Sequence, residues 1–313
     1  MKVGIIGLDT PHGVEFTKIL HDPQATGDLA DLTVVAGFAG GSPDLPCSWE
    51  CVGQCTEELR AMGVAIVDSV EELVEQVDLV LLESREGRPH LKQATPALAA
   101  GKPTYIDKPV AASLADVVRI YQLAGEFGTP CFSSSAIRFI PGVVGLRDNP
   151  QLGRIIGCDA YSPSMMLEYH SDLFYYGIHG VETLFTIMGE GCDSVARVYT
   201  EGTELVTGIW KDGRVGTFRG IRDGLPAYGA TVYGTGGVVH DGIEEGCATD
   251  VYRPLVREIA RFFKTGKPPV SPEQTLEIYA FMEAAHQSRR QAACTVMLED
   301  VLKKARQDAA AKR

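Results

Sequence analysis

The chain has 313 residues, 45% of them apolar, and a mean hydropathy of zero, which is enough for two globular domains with their own cores and excludes a disordered or fibrous protein. Lys and Arg total 29 against 41 Asp and Glu, and the resulting net charge of −12 repels phosphate backbones, so nucleic acid and anionic membrane surfaces are poor partners. No apolar run approaches the roughly 18 residues of a membrane span, and Met1 to Gly7 enters a strand at once without a signal peptide's long apolar region, so a cytoplasmic protein is expected.

In chain order, Val3 to Ile6 reads as a short β-branched strand. Thr10-Pro11 then starts a helix running to about His21, with Thr10 as N-cap and Pro11 at the first helical position. Leu32 to Phe38 is a second strand, followed by a loop rich in Gly, Ser and Pro from Gly40 to Ser48. Val64 to Val67, a helix over Val70 to Gln76, and a strand over Asp78 to Leu82 continue at α/β spacing. A helix from about Pro89 to Ala100 ends at Gly101, where a glycine is expected just past a helix. The strand of Lys102 to Pro109 follows, then a helix from Leu114 to Phe127 and a strand from Pro130 to Ser133. Strands alternating with helices in this rhythm give a doubly wound parallel sheet, because parallel strands need crossover helices.

Near residue 136 the pattern changes. A helix around Ile140 to Arg147 and a turn at Asn149-Pro150 lead to a strand over Arg154 to Ser162, and Ser194 to Val239 holds four or five strand candidates joined by short polar turns. Such closely spaced strands predict a mostly antiparallel open sheet, and helices over about Val251 to Lys264 and Glu273 to Arg290 complete an α+β domain. The expected division is residues 1–135, a Rossmann-like domain, and residues 136–313, an α+β domain for substrate binding and oligomerisation.

Eight scattered cysteines fit reduced, mostly buried thiols better than a disulfide framework. Cys47, Cys51 and Cys55 recur every four residues and would share one face of a helix, but Pro46, Gly53 and the lack of a nearby fourth ligand argue against a tetrahedral site. No metal site is expected.

Two constellations carry chemistry. In Lys102-Pro103-Thr104-Tyr105-Ile106-Asp107-Lys108-Pro109 the last charged residues emerge at the carboxyl end of a parallel sheet, the edge where open α/β sheets bind ligands, and Lys108-Pro109 is a place where a cis peptide is cheap. In Tyr175-Tyr176-Gly177-Ile178-His179-Gly180-Val181-Glu182, taken as opening a helix, Tyr175, His179 and Glu182 fall at i, i+4 and i+7 and project from one face. Histidine can take a proton from a substrate hydroxyl near neutral pH, and a tyrosine hydroxyl can bond the same oxygen.

Gly101-Lys102-Pro103 followed by Asp107-Lys108-Pro109 resembles the AGKxxxxEKP signature of the glucose-fructose oxidoreductase, inositol dehydrogenase and MocA (Gfo/Idh/MocA) family, and Gly177-Ile178-His179 with Glu182 is similar to its GxHxxD segment. His90, Arg138-Phe139 with Pro141, Gly153-Arg154-Ile155 and Glu258-Ile259 with Phe262 also stand where the family has similar residues. The resemblance implies NAD or NADP on the first domain and a sugar or cyclitol against the second domain's sheet. It implies Lys108 and His179 as the reacting pair with Tyr175 assisting, and a cis Lys108-Pro109 bond. Gly7, Asp9, Thr10, His12, Gly40, Ser84, His90, Asp107 and Lys108 then fall to the cofactor, and Arg138, Asp172 and Tyr176 to the substrate. A small carbohydrate-like molecule is the expected partner, with the chain pairing into a homo-oligomer, dimer or tetramer.

The departures are specific. The G-x-G-x-x-G fingerprint reads Gly7-Leu8-Asp9-Thr10-Pro11-His12, so only the first glycine remains, and an Asp9 carboxylate facing a pyrophosphate would cost about 4 kcal/mol per charge pair at ~4 Å unless it turned away. After the second strand, Phe38-Ala39-Gly40-Gly41-Ser42 has neither the acid that holds NAD's ribose nor an arginine for NADP. Tyr175 replaces the aspartate that many family members carry four residues before the histidine. Two alternatives accompany the dehydrogenase: a glycosidase using bound NAD for transient oxidation, and a ligand-binding homologue without cofactor.

Overall fold

The computed structural model describes residues 1–168, 170, 172–224, 226–243 and 251–311; Cys247 lies outside them. The chain divides into two compact units, the first formed by Met1–Ala111, Asp116–Ser134 and Tyr252–Ser271, the second by Ala112–Ala115, Ser135–Val251 and Pro272–Arg313.

In the first unit, β1 (Lys2–Ile6), α1 (Pro11–Leu20), β2 (Thr33–Phe38), α2 (Pro46–Ala61), β3 (Ala65–Val67), α3 (Val70–Gln76), β4 (Leu79–Leu82), α4 (His90–Ala99), β5 (Thr104–Ile106), α5 (Leu114–Phe127) and β6 (Cys131–Phe132) alternate as the sequence predicts. All strand pairs are parallel, in the order β3-β2-β1-β4-β5-β6. β4 and β5 are buried throughout, as expected for strands covered on both faces. The order reverses between β1 and β4, so a crevice opens beyond their carboxyl ends.

The second unit holds α6 (Pro141–Arg147), β7 (Ile155–Pro163), α7 (Ile178–Met188), β8 (Cys192–Tyr199), β9 (Thr203–Trp210), β10 (Val215–Ile221), β11 (Tyr228–Gly234) and β12 (Val238–Ile243). After α8 (Arg253–Thr265), the chain adds α9 (Pro272–Arg290), β13 (Val296–Met297) and α10 (Leu298–Ala310). Its seven-stranded sheet runs β12-β11-β7-β10-β9-β8-β13, antiparallel except at β7 and β10. Along β9 burial alternates residue by residue, so one face packs inward while the other is more open. α7, buried along almost its whole length, covers the inner face. A side chain at Gly180 would lie 2.3 Å from the Phe218 ring, so only glycine permits that approach of helix to sheet.

Two segments depart from the expected division: Ala112–Ala115 falls to the second unit and Tyr252–Ser271 to the first. α8 was expected in the second domain but belongs to the first unit, where its apolar face of Leu255, Val256, Ile259, Phe262 and Phe263 is buried. Phe262 meets Phe132 with ring centroids 5.0 Å apart, and Arg253 pairs with Asp22 at 3.5 Å and Arg261 with Asp28 at 3.2 Å. The helix period marks such a face in the sequence without saying which core it will join.

Candidate active site

β5 delivers Asp107 and Lys108 to the crevice edge, and the Lys108-Pro109 peptide is cis. Asp107 is 3% exposed, lies 2.7 Å from Nδ1 of His12 and accepts a hydrogen bond from the Tyr105 hydroxyl at 3.2 Å. Burial opposes the Asp107 carboxylate, but His12 and Lys108 outweigh it and hold the acid well below its ordinary range. His12 stands in the first turn of α1, stacked 5.9 Å from Phe16 and tilted against Tyr252 at 5.0 Å. The third member of this group is Glu83, the residue after β4. It is fully buried, and burial together with the Asp107 charge pushes its pKa well up.

The former fingerprint has an unusual arrangement. Gly7 keeps φ at +91°, and a side chain there would fall 2.3 Å from Ser84 Oγ. Asp9 is 0% exposed: its carboxylate accepts from Ser48 Oγ at 2.5 Å and from the Arg85 backbone N–H at 3.0 Å, while Arg85 Nε donates to the Asp9 carbonyl at 2.9 Å. Beside it, buried Ser42 donates to Glu86 at 2.6 Å, and Arg88 bridges Glu86 at 2.7 Å and Asp44 at 2.7 Å. Asp9 has therefore turned away from the crevice, and the expected repulsion is relieved by neighbours on α2 and on the loop after β4.

A nicotinamide dinucleotide meets two different ends here. The donor set near Lys108 suits it, because an ammonium at a sheet edge can hold hydroxyls of a ribose and a substrate. The pyrophosphate end does not suit it in this arrangement. Three loops close over the position of the second glycine with buried polar side chains satisfied by one another, Pro11 has no N–H to offer, and His12 N–H faces Thr10 Oγ1 at 3.5 Å.

In the second unit, His179 is the second residue of α7, with Nδ1 2.7 Å from Ser135 Oγ. Tyr176 packs edge-on against its ring at 5.1 Å, Tyr228 lies 6.2 Å away, and the two tyrosine hydroxyls are 3.3 Å apart. The expected shared face of Tyr175, His179 and Glu182 is not formed, because α7 starts at Ile178 and Tyr175 lies in the turn before it, 5.8 Å from His170. Glu182 is buried and bound by Arg138 Nε at 2.5 Å, and Arg138 also reaches Gln274 at 2.9 Å. Asp172 lies among Arg197 at 2.9 Å, Arg289 at 2.6 Å and His286 at 3.2 Å.

Several expected binding residues thus spend their polar atoms inside their own unit. Arg138 and Asp172 sit in buried ion pairs, and Ser84 donates to Gln93 at 2.8 Å. Buried His90 has Nδ1 3.1 Å from the Val110 carbonyl and Nε2 2.9 Å from that of Ser84, which pins two loops together. Gly40, at φ +61°, and Thr10 remain at the crevice edge. The sequence reading missed Glu83, Arg85, Glu86 and Ser48. The strand over Asp78 to Leu82 placed Glu83 at a carboxyl end by the same logic that found Lys108. Ser135 carries no such signal.

Residues 1–134 match the profile of the family described as "Oxidoreductase family, NAD-binding Rossmann fold". No curated protein sequence matches the chain. Among solved structures, the chain is similar to myo-inositol 2-dehydrogenase from Lactobacillus plantarum, with a TM-score of 0.78 and 14% identity over 95% of this chain and 99% of that one. Scyllo-inositol dehydrogenase from Lactobacillus casei, with bound cofactor NAD(H) and scyllo-inositol, gives a TM-score of 0.75 and 15% identity over 96% of this chain and 99% of that one. GenD2 from gentamicin A biosynthesis, in complex with NAD, gives 0.75 and 16% over 95% of this chain and 96% of that one.

Proposed function

We propose that the protein is a member of the Gfo/Idh/MocA oxidoreductase family, whose NAD-binding Rossmann-fold profile residues 1–134 match, and that it is an NAD(P)-dependent dehydrogenase acting on a hydroxyl or carbonyl of a sugar or cyclitol. The observation that carries the reading is Lys108, presented half-buried at the carboxyl end of β5 beside the switch point of a parallel sheet. A nicotinamide held beside Lys108 would supply or accept the hydride. Lys108 holds the substrate oxygen and stabilises the charge that develops on it. His179, oriented by Ser135 at Nδ1, exchanges the hydroxyl proton through Nε2, and Tyr176 frames the imidazole. Tyr175 keeps the assisting role given it by the sequence, from the turn that leads into α7. That the inositol dehydrogenases crystallised share this fold supports a polyol substrate, which the proposal carries over to this chain. The outward face of the second sheet, with Val198 64%, Ile209 47% and Val215 46% exposed, supports pairing with a second copy.

One observation favours a second reading. The closed Asp9, Ser48 and Arg85 network is what a homologue without a cofactor would keep, because no phosphate competes for its donors. Calorimetric titration of the protein with NADH and NADPH separates the two. Micromolar or tighter binding of either coenzyme supports the dehydrogenase, and no heat with both supports the cofactor-free homologue.

A further inference from the structure

His12, Glu83 and Asp107 come from three separate elements, the first turn of α1 and the ends of β4 and β5, yet one ligand atom from each lies within 4.8 Å of the other two. Among the described residues this is the one group of its kind. Glu83 is 0% exposed, and neither carboxyl oxygen has a hydrogen-bond partner, although Oε2 points at the group, 4.0 Å from His12 Nδ1. A buried carboxyl group with nothing to bond is unfavourable, so such a residue calls for a missing partner. Lys108, one position beyond Asp107, supplies charge to this region but no hydrogen bond to Glu83.

We propose that His12, Glu83 and Asp107 hold a divalent transition-metal cation. Two carboxylates and one imidazole form the mixed oxygen and nitrogen set that suits zinc, manganese, cobalt or ferrous iron. Metal-ligand bonds of about 2.0–2.2 Å need ligand atoms roughly 3–3.5 Å apart. The observed 2.7 Å and 4.0 Å separations from His12 Nδ1 are reached from that spacing by small rotamer changes. Supports that orient the ligands are already in place: Tyr105 donates to Asp107 at 3.2 Å, and Phe16 and Tyr252 flank the imidazole. His12 remains 17% exposed at its side chain, which gives an ion an entry path. A cation here carries a Lewis acid next to Lys108 and matches the charge of the two carboxylates. The proposal does not rest on the dehydrogenase reading, since it concerns the first unit's own side chains.

The test uses the full chain, stripped with a chelator and free of coenzyme. Co2+ is added while visible absorption is recorded, and Zn2+ is titrated by calorimetry. One equivalent should bind, the cobalt spectrum should lack thiolate charge transfer, and both His12→Gln and Glu83→Gln should weaken binding at least tenfold while Cys51→Ser leaves it unchanged. His12→Gln changes a side chain that still reaches solvent, so its circular dichroism should match the parent even if Glu83→Gln unfolds. Absence of stoichiometric binding, a thiolate band, or unchanged affinity in folded His12→Gln would overturn the proposal.

Discussion

Lys108 owes its position to a strand of three buried residues, Thr104 to Ile106, after which the chain has no choice but to emerge at the sheet edge. That rigid placement is why the residue can be removed without touching a core. Lys108→Ala should retain the parent's melting temperature while losing about 10²–10⁴-fold in kcat, the range typical of a removed acid–base or charge-stabilising group. Near-parental turnover on the true substrate would show that the lysine is outside the chemistry. Asp9 gives the complementary lesson. Its type and position were legible in the sequence, but the direction of its carboxylate was not, because that depends on Ser48 and Arg85, 39 and 76 residues away. Glu83 went unread, although strand logic alone puts it at the carboxyl end of β4. Its proximity to His12 and Asp107 depends on the β1, β4 and β5 register.

At the scale of elements, α7 shows where periodicity misleads. A helical spacing drawn through Tyr175, His179 and Glu182 assumes a helix that begins before Gly177, whereas the chain turns there and Ile178 opens α7. Glu182 and Arg138 form a buried pair, and in the turn before the helix Asp172 anchors β8 and α9 through Arg197 and Arg289. Burial works against the Asp172 charge, but His286, Arg197 and Arg289 prevail and hold the carboxyl well below its ordinary value. A depressed folded-state pKa means that this stabilisation is complete above the unfolded-state value near ~3.9 and is lost as pH falls from there toward the folded-state value. Asp172→Asn should therefore lower the melting temperature at pH ~7, by about 3–5 kcal/mol of stability, because Arg197 is left buried without this partner. It should also flatten the fall in stability below pH ~4. Parallel pH profiles for parent and variant would contradict the assignment.

For the molecule as a whole, alternation of strands and helices up to Ser133 and closely spaced strands after Arg154 were enough to read a parallel sheet followed by a mostly antiparallel one. The discontinuous membership of the first unit was not readable, since α8 returns to it after the second sheet and nothing local marks that choice. Among the described residues no helix is long and apolar enough to cross a membrane. Val198, Ile209 and Val215 share the outward sheet face, with Val215 directly opposite Ile209 across β9 and β10. If that face joins two copies, Ile209→Lys should convert an oligomer to a monomer in light scattering with unchanged far-ultraviolet circular dichroism. A monomeric parent would remove the pairing. The central claim is hydride transfer, and it is tested most directly by incubating the protein with NAD or NADP and a panel of inositols and sugars while following reduced coenzyme by absorbance. The account predicts net accumulation with at least one polyol and its loss in Lys108→Ala; accumulation that survives in Lys108→Ala, or none with any polyol together with no coenzyme binding, would contradict it.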